Sequence, residues 1–344
     1  MTGEALSREV KSGEFSGMDC RYVDLSGGIF NKVVFDNADF SGADLHETTF
    51  NECSFKNANF VETEMKEANL IKSDLSNTSF RNAKMNFTKF IEADLSGANF
   101  SGANMEMAVF NESKLPRADL SGASLLVTVF NDCEMKEANF SNIKMEKAIF
   151  YECEFARNNF KGATILLSYF KQGDFKGVDF SGLDLSQSQF SECELARCNF
   201  NKSQLKQGGF MQANLKVSTF DDANLELANF YEADLTGVSM KKANLEKASL
   251  QKAKLTATNL SSSNLEMALL SEAIIRLSNF SGANLGDADL AHTIIIESDF
   301  TNANLFRAKM HETYDEKTIW AGAAKSLALG TDPKKLKAEQ WGKQ

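Results

Sequence analysis

ADLSGANFSGANMEMAVF, residues 93–110, decides the fold. Its large apolar residues fall every fifth position, at Leu95, Phe100, Met105 and Phe110, each with an alanine two residues before it. The same frame runs outward in both directions without a slip. From Phe15 to Met310 every fifth residue is apolar, 60 consecutive positions, and the residue two before each is nearly always small. A helix of period 3.6 would scatter these side chains around its circumference, and a strand of period 2 would alternate them between faces. The period suits a chain that turns a corner once per repeat and points one large and one small side chain inward each time.

A second period of twenty gives the number of sides. Leu25, Leu45, Met65, Met85, Met105, Leu125 and their successors to Leu305 include no phenylalanine, whereas Phe30, Phe50, Phe90, Phe110, Phe130, Phe150 and Phe170 form a nearly pure phenylalanine class broken by Leu70. Each side of a four-sided coil then has its own packing rule, and rings on some sides meet Leu or Met on another.

Units such as ADLSG (93–97), ANFSG (98–102), ADLSG (118–122) and ANLGD (283–287) resemble the pentapeptide-repeat family, whose usual form is A(D/N)LXX. The resemblance covers about 86% of the chain. It implies an all-β, right-handed quadrilateral β-helix with four repeats per 20-residue coil and about 15 coils. The reading divides the chain into an N-terminal cap (1–14), the β-helix (15–310) and a C-terminal cap and tail (311–344). In the first, ALSREVKSG suggests a helical turn or two. In the last, Trp320 is expected to plug the core, AAKSLAL to form a short helix ending at Gly330, and Asp332–Pro333 to open another. Solenoids need such caps to hide the open ends of their core.

The net charge of −10, from 47 acidic and 37 basic residues, argues against nucleic acid as a direct ligand, because phosphate binding needs a basic stripe. Five of the six cysteines occupy the small inward position and Cys20 a central one, which reads as buried thiols in a reducing, cytoplasmic compartment. Residues 1–14 lack the apolar run of a signal peptide, and no stretch is long enough to span a bilayer. The three histidines, His46, His292 and His311, are expected to form no metal-binding pair. No phosphate loop or nucleophile–base pairing appears, so no enzyme, cofactor or metal is expected.

Function therefore falls to the outer surface. One column is acidic: Glu52, Glu92, Glu112, Asp132, Glu152, Glu192, Glu232 and Glu272. A neighbouring column adds Asp74, Asp94, Glu134, Glu154, Asp174, Glu194 and Asp234. Stacked like charges repel, so such a stripe costs stability. The family resemblance implies a DNA mimic that binds a type II topoisomerase such as gyrase, although this chain lacks the projecting loops that gyrase-protecting members often carry. The second feature is apolar. Val109, Val129, Ile149 and Tyr169 precede central phenylalanines and should point outward, and Phe87, Met107, Leu126, Val127, Leu166 and Leu167 are placed on the same side. Contiguous apolar surface marks interfaces. The reading is a non-catalytic scaffold or adaptor that binds another protein or itself through this patch, with the gyrase mimic as the alternative. The opening VKSGEFSGMDCRYVDLSG (10–27) also resembles pentapeptide-repeat proteins found beside bacterial secretion machinery, a weaker alternative.

Overall fold

The computed structural model describes residues 9–341. The chain is a β-solenoid of about 15 turns in which the strands pair in parallel. It divides into two compact units, Met1–Val178 and Asp179–Gln344.

In the first unit, three-residue strands recur once per turn, among them Lys89–Ile91, Val109–Asn111, Val129–Asn131, Ile149–Tyr151 and Tyr169–Lys171. Each pairs with its neighbour at a register of twenty, so that Phe90, Phe110, Phe130, Phe150 and Phe170 stand in one column. A second sheet, on another side, pairs Ser124–Leu126, Lys144–Glu146 and Thr164–Leu166. Isolated parallel bridges at the same register, such as Asp39↔Asn59, carry the remaining sides. The second unit repeats this plan. Bridges such as Asn224↔Asn244 lead to a four-stranded parallel sheet of Lys254–Thr256, Ile274–Arg276, Ile294–Ile296 and Tyr314–Glu316.

The central residues from Cys20 to Leu305 are all at most 1% exposed. Phenylalanines twenty apart stack, with centroids 4.5 Å apart for Phe110–Phe130 and 4.7 Å for Phe130–Phe150, and meet rings on the next side edge-on, as Phe100 meets Phe110. This alternation of offset stacks and T-contacts is what the quadrupole of an aromatic ring favours.

The corner is a four-residue turn. In Phe35–Ala38 the Ala38 amide donates to the Phe35 carbonyl at 3.0 Å, and Asn37, two residues after the centre, sits at φ 59°. Position after position repeats this left-handed residue. Where it is glycine, as at Gly97 (φ 68°) and Gly102 (φ 69°), the conformation is unstrained.

On some sides the inward small residue instead serves the coil before it. Thr128 Oγ1 donates to the Met105 carbonyl at 2.7 Å, Thr88 Oγ1 to that of Met65 at 2.7 Å, and the thiols of Cys133 and Cys153 to those of Phe110 and Phe130 at 3.6 Å. Buried carbonyls are thus satisfied from the next turn. All six cysteines are buried and free. Burial holds the Cys153 thiol well above its ordinary range and raises that of Cys20 to about 12.

One inward position departs from this economy. Asn158 Oδ1 accepts from the Ala138 amide at 3.0 Å, the role that Ser73, Ser113 and Ser168 hydroxyls play for Cys53, Ala93 and Ala148, but its Nδ2 is buried without a partner. Asn158→Ser keeps the acceptor and removes the orphaned donor, so it should raise stability by about 1 kcal/mol. Chemical denaturation checks this, and a variant less stable than wild type would show that the amide fills space the serine leaves empty.

The ends differ from the sequence reading. Residues 1–8 lie outside the described residues, and Glu9–Val10 and Gly13–Glu14 are short strands paired with Ile29–Phe30 and Val33–Val34, not helical turns. The first turn of the sheet continues into the segment because its backbone groups find partners there. AAKSLAL is likewise not a helix. It holds one 3-10 turn, Lys325–Leu327, after which the Leu329 amide donates to the Ala308 carbonyl at 2.8 Å. Trp320 stacks on Phe300 at 4.6 Å, fixed by Nε1 donating to Asp315 at 2.9 Å and by Lys325 over its ring. The helix α1, Pro333–Trp341, is capped by Asp332 Oδ1, which accepts from the Lys334 amide at 2.8 Å. Among the described residues no helix is long and apolar enough to cross a membrane.

Candidate functional site

The apolar residues singled out from sequence all reach the surface of the first unit, but they occupy three columns on two sides and the corner between them. Val109, Val129, Ile149 and Tyr169 stand in strict register on the long sheet. Phe87, Met107, Val127 and Leu167 occupy the left-handed corner, at φ between 52° and 60°. Leu126 and Leu166 belong to the neighbouring sheet, so the expectation that all ten share one side is corrected. The corner lies at residue 127 and its equivalents, and a residue before it faces a different way from a residue after it. Phe87, Met107, Ile149, Leu167 and Tyr169 are 38–43% exposed.

The surface is also less uniform than the list of apolar residues suggests. Glu146 stands between Leu126 and Leu166, and Lys147 stands at the corner between Val127 and Leu167. Their side chains lie 3.8 Å apart and are half exposed.

The acidic residues Glu52, Glu92, Glu112, Asp132, Glu152, Glu192, Glu232 and Glu272 all occupy left-handed corners, at φ 49–62°. Several are paired. Lys32 lies 3.5 Å from Glu52 and Lys72 3.4 Å from Glu92. Gln212 donates to Glu232 at 2.8 Å, and that bond is the first cause holding the Glu232 carboxyl below its ordinary range. In the adjacent column Lys56 pairs with Asp74, Lys136 with Glu154, and both Lys216 and Lys254 with Asp234. Four successive turns, at Glu92, Glu112, Asp132 and Glu152, carry an uninterrupted acidic run.

Two features escaped the sequence reading. In the second unit Ile274, Ile294 and Tyr314 stand in register and are 37–54% exposed, beside Leu277 at 61%. The rule that exposes Val129, one residue before a central position, applies to them equally. The second is a histidine pair. His292 and His311, expected to form no metal-binding pair, lie on adjacent turns with ring centroids 5.2 Å apart. Glu339 of α1 joins them, its carboxylate 3.1 Å from His311 Nε2 and 3.4 Å from His292 Nε2. The three ligand atoms lie within 4.8 Å of one another, a spacing a metal could span. The hydrogen bonding favours another use. The Asp332 amide donates to His311 Nδ1 at 3.1 Å, which leaves the proton on Nε2, directed at Glu339. A metal on that nitrogen would need the lone pair the proton occupies.

The arrangement is a clamp that holds α1 on the last turns. Its hydrogen bond to His311 is the largest cause keeping the Glu339 carboxyl below its ordinary range. A depressed carboxyl contributes above its unfolded pKa and is lost as pH falls through the folded value. Amide exchange in 334–341, taken relative to the intrinsic rate at each pH, should therefore accelerate on acidification below the ordinary carboxylate range. Glu339→Ala should show the fast exchange already at neutral pH, and unchanged exchange in that variant would show that other contacts hold the helix.

A solenoid of parallel turns with a filled apolar core defines the class: a repeat protein. The chain belongs to the pentapeptide-repeat family. The model for a pentapeptide repeat region matches residues 24–101, 43–120, 123–200 and 173–250, and that for eight copies of the repeat matches 239–276, 248–287 and 283–314. No curated protein matches the chain significantly. Among solved structures, HetL from the cyanobacterium Nostoc sp. strain PCC 7120, a pentapeptide repeat protein involved in heterocyst differentiation regulation, is 25% identical. That match covers 63% of this chain and 89% of HetL, with a TM-score of 0.37. QnrB1, a plasmid-mediated fluoroquinolone resistance protein, is 17% identical over 58% of this chain and 93% of its own, with a TM-score of 0.41. Rfr23 from the cyanobacterium Cyanothece 51142 is 20% identical over 44% of this chain and 90% of its own, with a TM-score of 0.19.

Proposed function

We propose that the protein is a non-catalytic scaffold that binds another protein, or a second copy of itself, through the apolar surface of its first unit. The observation that supports this is the register column Val109, Val129, Ile149 and Tyr169, continued over the corner by Phe87, Met107, Val127 and Leu167. Strand propensity alone favours β-branched residues in such positions. It does not favour exposed Phe, Met and Leu at left-handed corners, where glycine or asparagine is unstrained. The cytoplasm, with its reduced thiols, is the compartment that suits six buried free cysteines. The test compares capture of a binding partner by wild type and by a variant charged on this column.

The acidic run Glu92, Glu112, Asp132 and Glu152 supports a second reading, a DNA mimic that engages gyrase or another type II topoisomerase. The lysines paired with Glu52, Asp74 and Glu154 interrupt a duplex-like charge pattern on either side of it. Mimicry requires inhibition of gyrase supercoiling that weakens with salt, since exposed charges are screened over about 8 Å at physiological ionic strength. Absence of inhibition at low salt removes it.

A further inference from the structure

We infer that the corner at residues 126–167 pairs with the same corner of a second copy of this chain, around a two-fold axis that passes between Glu146 and Lys147. This rests on the proposal that the apolar surface is an interface, and it names the occupant. Three successive turns read Leu126–Val127, Glu146–Lys147 and Leu166–Leu167. In each, the first residue ends a strand of the three-stranded sheet and the second is the left-handed corner residue. An apolar pair thus lies one turn on either side of a pair of opposite charges.

An isologous interface brings each residue against a different residue of the same patch, so the patch must be complementary to itself. A two-fold axis that runs along the stack of turns, between the Glu146 and Lys147 columns, meets that condition. Glu146 then faces the partner's Lys147, and Lys147 faces the partner's Glu146, whereas an axis across the stack would set each against its own copy. The four apolar side chains of one copy, Leu126, Val127, Leu166 and Leu167, likewise fall on the same four of the other. A partner of uniform charge would leave either Glu146 or Lys147 against a like charge. A wholly apolar partner would bury both charges with only each other for company. A second copy doubles the pairing, and the 3.8 Å contact within one chain becomes a closed ring of two glutamates and two lysines. The surface has relief to receive it: a depression of about 320 Å³ is lined by Ser124, Leu126, Lys144, Glu146, Thr164 and Leu166.

The test is analytical ultracentrifugation of the full-length chain and two charge reversals. Wild type is expected to be a dimer. Glu146→Lys and Lys147→Glu, made separately, each set like charges across the axis and should weaken self-association on the order of a hundredfold, leaving monomers with unchanged circular dichroism. Mixed in equal amounts, the two variants present two lysines to two glutamates and should form a heterodimer. The recovery is the decisive readout, because a misfolded variant cannot be rescued by mixing. Reversals that leave the dimer intact, or fail to pair with each other, overturn the inference. A monomeric wild type overturns it as well. If that monomer still captures a partner that charged variants of the Val129 column lose, the interface itself stands with a different occupant.

Discussion

Phe130→Ala lowers the stability of the first unit by about 3–5 kcal/mol, read from chemical denaturation. The ring is fully buried and stacked between Phe110 at 4.5 Å and Phe150 at 4.7 Å, so its removal leaves a gap that neither neighbour can fill. Its backbone is held on both sides by the parallel ladder, Phe110↔Phe130 and Phe130↔Phe150, which prevents the turn from collapsing into the space. The cost should therefore include a cavity as well as lost transfer free energy. Phe130→Leu should cost far less, on the order of 1 kcal/mol, because Leu70 occupies the same column between Phe50 and Phe90. Equal losses in the two variants would mean that the stack tolerates no aliphatic member here, and that shape governs this column more than volume does.

The inward placement of Phe130 is legible in the five-residue period alone. Once the repeat is seen, the inward positions follow by counting, and the twenty-residue classes identify Phe110, Phe130 and Phe150 as neighbours. Counting gives distance along the coil and not direction. Leu126 and Val129 are three residues apart and counting sets them on one side, but a left-handed corner at Val127 turns the chain between them. The signal was present at equivalent positions, where Gly97, Gly102 and Gly122 mark the residue that needs positive φ. It is masked at Phe87, Met107, Val127, Lys147 and Leu167, where no glycine stands. The histidine clamp was hidden for a related reason. His292 and His311 are nineteen residues apart, one short of a full turn, and become neighbours at the point where the chain starts to leave the repeat. Their third member, Glu339, arrives on a helix that no five-residue frame reaches. Polar satisfaction was similarly invisible, since alanine, serine, threonine and cysteine are interchangeable as small residues. Only the structure distinguishes those whose Oγ or Sγ serves a carbonyl of the preceding turn, as Thr128 does for Met105.

Val129→Glu combined with Tyr169→Glu should leave the solenoid folded and weaken partner binding on the order of a hundredfold. Both side chains point away from the core, and both backbone amides keep their bonds, to the Ala108 and Ala148 carbonyls at 2.9 Å. Substitutions at such positions change stability by about 0.5 kcal/mol or less. Binding responds differently because a carboxylate carried into an apolar contact must lose its water without gaining a partner. Ile149 lies between the two positions in register, so the charges flank the centre of the column. The control is Glu112→Gln with Asp132→Asn, which removes the two central charges of the four-residue acidic run while sparing the apolar surface. Binding lost in the first variant and kept in the second, with little sensitivity to salt, assigns recognition to the apolar column. Binding lost only in the second, and fading as salt rises, moves recognition to the acidic corner and with it to the DNA-mimic reading. An unfolded Val129/Tyr169 variant would contradict the outward placement itself, since that placement is what makes the two substitutions tolerable.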